Sequence, residues 1–67
     1  KYVVVIEKSD NGYSAYVPDL AGCVATGKTR ERVERLIREA IGLHLEMMRE
    51  HNEPIPRPAA WAKVVEA

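Results

Sequence analysis

The sequence predicts an α+β fold with the element order β-β-β-α-β, in which a small antiparallel sheet carries one long helix on one face. Three observations lead to this prediction. β-branched and aromatic residues fill short runs in the first half of the chain, and the turn Ser9-Asp10-Asn11-Gly12 separates the first two. Apolar residues then recur at three- and four-residue spacing between residues 30 and 51. A last β-prone run follows a proline-rich stretch.

Three strands are predicted before the helix. Residues 2–7, Tyr-Val-Val-Val-Ile-Glu, predict the first strand, and residues 13–17 predict the return strand of a hairpin. Asn11 and Gly12 suit the turn between them, because both residue types tolerate positive φ. Pro18 and Asp19 predict a loop, since proline removes a backbone donor from a strand ladder. The run Cys-Val-Ala-Thr at residues 23–26 then predicts a short third strand.

The helix is predicted over residues 30–51. Thr29 is a suitable N-cap, and Glu31 complements the positive end of the helix dipole. One apolar stripe supports the helix, formed by Val33, Leu36, Ile37, Ala40, Ile41, His44, Met47 and Met48. Prolines at positions 54, 56 and 58 end it and predict a stiff, extended linker. Residues 61–65, Trp-Ala-Lys-Val-Val, then predict a last short strand.

The length and composition predict one domain over residues 1–67 that self-associates. A chain of 67 residues buries little surface and is only marginally stable by itself. Cys23 is the only cysteine, which excludes a disulfide within the chain, and two histidines add little to a metal cage. We therefore expect no metal and no cofactor, and we expect a dimer or a tetramer.

The same composition predicts a cytoplasmic protein that binds neither DNA nor membranes directly. A single cysteine and the absence of a signal peptide indicate a reducing compartment. No apolar run approaches the 18 or so residues of a membrane span. Ten basic and ten acidic residues give a net charge of zero, and glutamates alternate with the arginines of the helix. Such a surface gives little support for phosphate neutralisation.

The first predicted strand indicates where a partner binds. It is apolar on both faces, since Val3 and Val5 alternate with Val4 and Ile6, yet one helix covers only one face of a sheet. The second face needs another copy, a missing domain or a partner protein, unless the proline-rich segment and Trp61 fold over it. The candidate interface residues are Tyr2, Val3, Val4, Val5, Tyr16, Met47, Met48 and Trp61.

Residues 22–29 also fit the phosphate-loop pattern G-x-x-x-x-G-K-[ST], through Gly22, Gly27, Lys28 and Thr29. That loop requires a buried strand before it and a helix after it. Pro18-Asp19 precedes Gly22 instead, and the residues between the two glycines are β-prone. The pattern therefore gives little support for nucleotide binding.

Other chemistry-bearing residues are interpreted as structural. Glu7, Asp10 and Asp19 are the carboxylates of the predicted β region, too few and too dispersed to predict a two-metal nuclease. His44 and His51 are seven residues apart, whereas a helical metal pair prefers a spacing of four. Cys23 is interpreted as a buried strand residue. Tyr13 and Tyr16 could stack on RNA bases, but no positive charge surrounds them.

Several of these segments, in this order, resemble the HicB-like antitoxin domain of bacterial type II toxin–antitoxin systems. The matching pieces are residues 2–7, Gly12-Tyr-Ser-Ala-Tyr-Val-Pro-Asp-Leu20, Ala21-Gly-Cys-Val-Ala-Thr-Gly27, Thr29, the helix through Ala40, Leu43 and His44, and Pro54-Ile55-Pro56. Together they cover nearly the whole chain. Lys28 departs from the pattern, because relatives often carry an acidic residue there.

The resemblance implies a fold described as a partial ribonuclease H-like unit and a non-catalytic binding role. In the family, this domain neutralises a small basic HicA-type toxin, an mRNA-cleaving ribonuclease, and a separate C-terminal domain represses the operon. This chain ends at Ala67, so we expect a stand-alone member without DNA binding. The alternatives are an oligomeric domain that binds a small ligand or RNA, and a remnant metal-dependent nuclease.

Overall fold

A computed structural model describes all 67 residues of the chain and confirms the α+β fold. Three strands, β1 (Val5–Ser9), β2 (Gly12–Tyr16) and β3 (Val24–Gly27), precede one long helix, α1 (Arg30–Glu50). The strands form one antiparallel sheet in the order β1-β2-β3, so β1 and β3 are its two edges. The single helix packs on one face of this sheet, against β2 and β3.

The hairpin between β1 and β2 has the predicted turn at Asp10 and Asn11. The register pairs Ser9 with Gly12, and the hydroxyl of Ser9 donates to the carbonyl oxygen of Gly12 at 3.2 Å. The positive φ falls on Gly12, at 145°, and not on Asn11. A side chain at position 12 would also place its Cβ 2.5 Å from the carbonyl oxygen of Gly27. Both the backbone angle and the crowding therefore require glycine here.

The helix begins and ends within one residue of the predicted bounds. The hydroxyl of Thr29 accepts a hydrogen bond from the backbone N–H of Arg32 at 3.1 Å, which confirms Thr29 as the N-cap. At the other end, Asn52 adopts a left-handed φ of 55°, and the N–H of Glu53 donates to the carbonyl oxygen of Met48 at 2.8 Å. This is the usual way in which a helix satisfies its last carbonyls.

The core lies between the helix and the sheet and is small. Its six buried residues are Ala15, Val17, Leu20, Cys23, Val33 and Ile37. Val33 and Ile37 come from one face of the helix, one turn apart. Leu20, only 1% exposed, comes from the loop after Pro18, which the sequence does not mark as a core segment. That loop is tight, because the N–H of Val17 donates to the carbonyl oxygen of Cys23 and the N–H of Cys23 donates to the carbonyl oxygen of Leu20.

The predicted last strand is wrong, and the first strand is shorter than predicted. Residues 53–67 form neither helix nor strand, and Trp61, Val64 and Val65 are 83%, 95% and 75% exposed. β1 begins at Val5 and not at residue 2, because its partner β2 ends at Tyr16 and the chain then turns away. In each case the β-prone residues are present, but the chain provides no neighbouring strand to accept their backbone hydrogen bonds.

The proline-rich segment is attached to the helix side of the sheet. The hydroxyl of Tyr2, whose side chain packs against the core, donates to the carbonyl oxygen of Pro56 at 2.6 Å. One oxygen of the Asp19 carboxylate accepts the N–H groups of Ala59 and Ala60, both at 3.1 Å. The segment is thus held at one end of the molecule, and the exposed Trp61 covers neither face of the sheet.

Candidate protein-binding surface

An apolar row crosses the sheet on the face away from the helix. The register pairs Val5 with Tyr16 and Tyr16 with Val24, so the three side chains are cross-strand neighbours on β1, β2 and β3. Tyr16 is 42% exposed and Val24 is 63% exposed. Val3, two residues before Val5, is half-buried and does not pack against the core. We call Val3, Val5, Tyr16 and Val24 the open face.

Polar residues bound the open face along the strands. Two positions from the apolar row, the register pairs Glu7 with Ser14 and Ser14 with Thr26. These three side chains alternate with the core-facing Ile6, Ala15 and Ala25, as expected for a sheet face in contact with water. The apolar character of this face is therefore local, confined to the end of the sheet where the chain begins.

The structure brings together only part of the predicted interface. Val3, Val5 and Tyr16 lie on the open face, beside Val24, which the sequence did not single out. Tyr2 and Val4 lie on the opposite side, where they pack against the core. The alternation of the first strand separates these two sets, as the pleat requires. Val24 was identifiable in principle, because it alternates with Cys23 and Ala25 in a short strand.

The remaining predicted residues lie elsewhere. Met47, 55% exposed, and the half-buried Met48 line a groove of about 380 Å³ at the C-terminal end of the helix, together with His44 and Pro56. Trp61 lies beyond the last anchored residue of the proline-rich segment. The predicted interface is thus divided among the open face, the core side of the first strand, this helix-end groove and the C-terminal residues.

The remaining reactive side chains do not converge on one place. Glu7 is exposed on β1, Asp10 lies in the hairpin turn, and Asp19 holds the C-terminal segment. Among all 67 residues, no three His, Cys, Asp or Glu side chains are grouped as metal ligands would be. Cys23 is buried, and its burial raises the pKa of the thiol above its ordinary range. A neutral, enclosed thiol is a poor nucleophile.

The phosphate-loop pattern does not form a phosphate loop. Gly22, with a φ of 81°, lies in a turn, and the chain from Val24 to Gly27 is strand β3, not a loop. The hydroxyl of Thr29 is used as the N-cap of the helix. The pattern therefore reflects a strand followed by a capped helix.

No helix in the structure combines the length and the apolarity that crossing a membrane requires. The one ion pair joins Arg30 to Glu34 on the helix surface at 3.3 Å, with both side chains largely exposed. Such a pair contributes little to stability.

Comparison with known proteins identifies a family and several relatives to which this chain is similar. The model of the HicB-like antitoxin of bacterial toxin–antitoxin systems matches residues 2–67. The UPF0150 protein Ta0767 of Thermoplasma acidophilum is 43% identical to the whole chain over 99% of its own length. A UPF0150 protein of Helicobacter pylori is 58% identical over 61% of this chain and 57% of its own length.

A solved structure is also similar to this fold. A chain of the HicA3 and HicB3 toxin-antitoxin complex superposes with a TM-score of 0.75 and is 30% identical. The similarity covers 88% of this chain and 70% of that chain.

Proposed function

Because this chain belongs to the HicB-like antitoxin family of bacterial toxin–antitoxin systems, we propose that it neutralises a small HicA-type toxin by binding it directly, without catalysis. The solved relative comes from a complex of a toxin with an antitoxin, which supports a protein partner for this chain. In this proposal the toxin is a small basic ribonuclease that cleaves mRNA, and the antitoxin occupies a surface that the toxin needs.

The open face is the observation that carries the proposal. A sheet face in contact with water should carry mainly polar residues, yet Val5, Tyr16 and Val24 form a continuous apolar row across all three strands. Tyrosine in such a setting is typical of binding hot spots, since it supplies a large apolar ring and a polar hydroxyl. Glu7, two residues from Val5 on the same face, adds a negative charge at the border that complements a basic partner.

An affinity capture from the native cells tests for the partner. The tagged chain should recover a small basic protein in near-equal amounts, identified by mass spectrometry. The recovered protein should cleave mRNA by itself, and the purified chain should suppress that cleavage at a one-to-one ratio whether or not Mg²⁺ is chelated. Recovery of the tagged chain alone, or a recovered protein that this chain does not inhibit, would contradict the proposal.

Two substitutions of equal exposure test which surface binds. Val24 on the open face and Leu43 on the outer side of the helix are 63% and 66% exposed. Val24→Lys places a positive charge in the apolar row and should weaken toxin binding at least about tenfold, equivalent to about 1.4 kcal/mol. Leu43→Lys should leave the affinity unchanged. Equal losses, or a loss with Leu43→Lys alone, would move the binding surface away from the open face.

Self-association and a cytoplasmic location complete the proposal.

The alternatives make different predictions. A ligand- or RNA-binding oligomer would bind RNA in a salt-dependent manner or retain a small molecule through purification. A remnant nuclease would cleave RNA only with Mg²⁺ or Mn²⁺ and would lose that activity in Glu7→Gln or Asp19→Asn.

A further inference from the structure

A polar cavity of about 350 Å³ lies where the hairpin turn, the end of β3 and the start of α1 meet. Its lining residues come from the hairpin, from positions 26–28 and from Arg32, and none of them belongs to the open face or to the helix-end groove. The volume falls within the range of small-ligand sites, which begins at about 300 Å³. Such sites are mostly apolar, whereas Tyr13 is the one hydrophobic residue among the nine that line this cavity. A small and strongly polar ligand therefore fits it best.

Two glycines bring the walls of this cavity together. A Cβ at position 12 would lie 2.5 Å from the carbonyl oxygen of Gly27, and a Cβ at position 27 would lie 3.1 Å from the backbone nitrogen of Val33. The hairpin turn, β3 and the helix approach this closely because both side chains are absent. The shape of the cavity is therefore set by backbone packing among three elements.

Both charged residues of the cavity are cations. Lys28 directly follows β3, and Arg32 lies in the first turn of α1. No carboxylate lines the cavity, although Asp10 and Glu31 are close to its residues in sequence. Neither Lys28 nor Arg32 takes part in the one ion pair of the chain. In a protein with a net charge of zero, two unpaired cations beside one cavity form a local site of attraction for an anion.

Unused hydrogen-bonding groups lie beside the two cations. The hydroxyls of Ser14 and Thr26 and the side-chain amide of Asn11 line the cavity and form no hydrogen bond within the protein. A hydroxyl both donates and accepts, and an amide carries one acceptor and two donors. These groups suit a ligand that carries hydroxyl groups of its own.

Two other kinds of anion site fit the cavity less well. The site does not depend on the helix N-terminus, because the hydroxyl of Thr29 already accepts the N–H of Arg32. The ring of Tyr13 packs against the core, and no other ring lines the cavity. A nucleobase, which binds by stacking on aromatic side chains, therefore finds little to stack on. The cavity favours an anion attached to a sugar over a nucleotide.

We propose that this cavity binds a small sugar phosphate. Arg32 and Lys28 hold the phosphate, since a guanidinium presents paired N–H groups to two phosphate oxygens and an ammonium adds a compact charge. Ser14, Thr26 and Asn11 exchange hydrogen bonds with the sugar hydroxyls. The proposal does not depend on a toxin, because the cavity and the open face have no residue in common.

Titrations followed through the amide NMR shifts test for the ligand. Ribose 5-phosphate, glucose 6-phosphate, ribose and inorganic phosphate are added separately at constant pH and ionic strength. At least one of the two sugar phosphates should shift the amides of Thr26, Gly27 and Lys28 with half-saturation below about 1 mM, and at least about tenfold below ribose and inorganic phosphate.

Three outcomes of these titrations would overturn the proposal. The first is the absence of a saturable shift with either sugar phosphate. The second is an equal affinity for inorganic phosphate, which would indicate a simple anion site. The third is an equal affinity for ribose, which would leave the two cations without a role.

Substitutions that remove one positive charge locate the site. Lys28→Gln and Arg32→Gln should each weaken sugar phosphate binding at least about tenfold. Both side chains are exposed, so the fold should be retained, as the spectrum of each unliganded variant would verify. Arg49→Gln is the matched control, since this exposed cation lies in the last turn of the same helix and outside the cavity. Equal losses in all three variants would indicate unspecific charge attraction and overturn the proposal.

A third variant separates the sugar from the phosphate. Thr26→Val keeps the branched shape of the side chain and removes its hydroxyl at an exposed position of β3. It should weaken sugar phosphate binding about three- to tenfold and leave the binding of inorganic phosphate unchanged. An equal effect on both ligands, or no effect on either, would overturn the assignment of a sugar.

Discussion

Replacing Asp19 with alanine should release the C-terminal segment without unfolding the domain. One oxygen of this half-buried carboxylate accepts the N–H groups of both Ala59 and Ala60, each at 3.1 Å. Beyond Ala60 the chain makes no further hydrogen bond, and the one other anchor of the segment is the hydrogen bond from Tyr2 to the carbonyl oxygen of Pro56. Asp19 therefore connects the segment to the loop between β2 and β3.

The magnitude follows from the two hydrogen bonds. A hydrogen bond to a charged group contributes about 1.5–3 kcal/mol when buried, and partial exposure reduces each of these to about 1–1.5 kcal/mol. Their joint loss of about 2–3 kcal/mol raises the local opening equilibrium roughly 30- to 150-fold, at about 1.4 kcal/mol for each factor of ten. Asp19→Asn keeps an acceptor oxygen but loses the charge, so its effect should be smaller, about 3- to 10-fold.

Amide hydrogen exchange measures this opening residue by residue. In Asp19→Ala, the amides of Ala59 and Ala60 should lose protection by the stated factor, while the amide of Ile37 in the core helix keeps its own. Asp10→Ala, in the hairpin turn, is the matched control, because that carboxylate accepts no hydrogen bond from the segment. Unchanged exchange at Ala59 and Ala60 in Asp19→Ala would refute the assignment of Asp19 as their anchor.

Two further predictions concern the stability of the domain. In urea titrations, Gly12→Ala should lower the free energy of unfolding by about 2–3 kcal/mol, because φ is 145° and the new Cβ meets the carbonyl oxygen of Gly27. Gly42→Ala, with open space around it, should raise the free energy of unfolding by up to about 1 kcal/mol. Equal effects of the two substitutions would contradict this prediction. Burial raises the pKa of the Cys23 thiol, so the unfolded chain ionises first and the domain should lose stability as the pH rises above about 9, a loss that Cys23→Ala removes. A stability that stays constant through this pH range in the native chain would refute the second prediction.

The local elements were predictable because nearby residues determine them. Thr29 caps the helix through an N–H three residues away, and the last turn closes on Asn52. The hairpin turn depends on Asp10, Asn11 and Gly12, which are adjacent. Such interactions act over one turn of chain, so their signals appear directly in the sequence.

The candidate surface was only partly predictable because the sequence shows which residues are apolar and not what they contact. The pleat of the first strand assigns Val3 and Val5 to one face and Tyr2 and Val4 to the other. Which of these two faces the helix covers is determined only by the packing of Val33 and Ile37 in the core. Leu20 is likewise buried in the core although it lies in a loop, because tertiary packing decides its contacts. Val24 became part of the open face only through its pairing with Tyr16.

The sequence by itself determined the family, the α+β class, the positions of the hairpin and helix, and the excess of apolar strand residues over what one helix can cover. Only the tertiary structure decided that residues 2–4 and 61–65 have no strand partner in their own chain, and that Asp19 holds Ala59 and Ala60. The physical reason is the range of the interactions. Caps and turns act between neighbours in sequence, whereas a strand forms only where a second strand, distant in sequence or in another molecule, completes its hydrogen bonds.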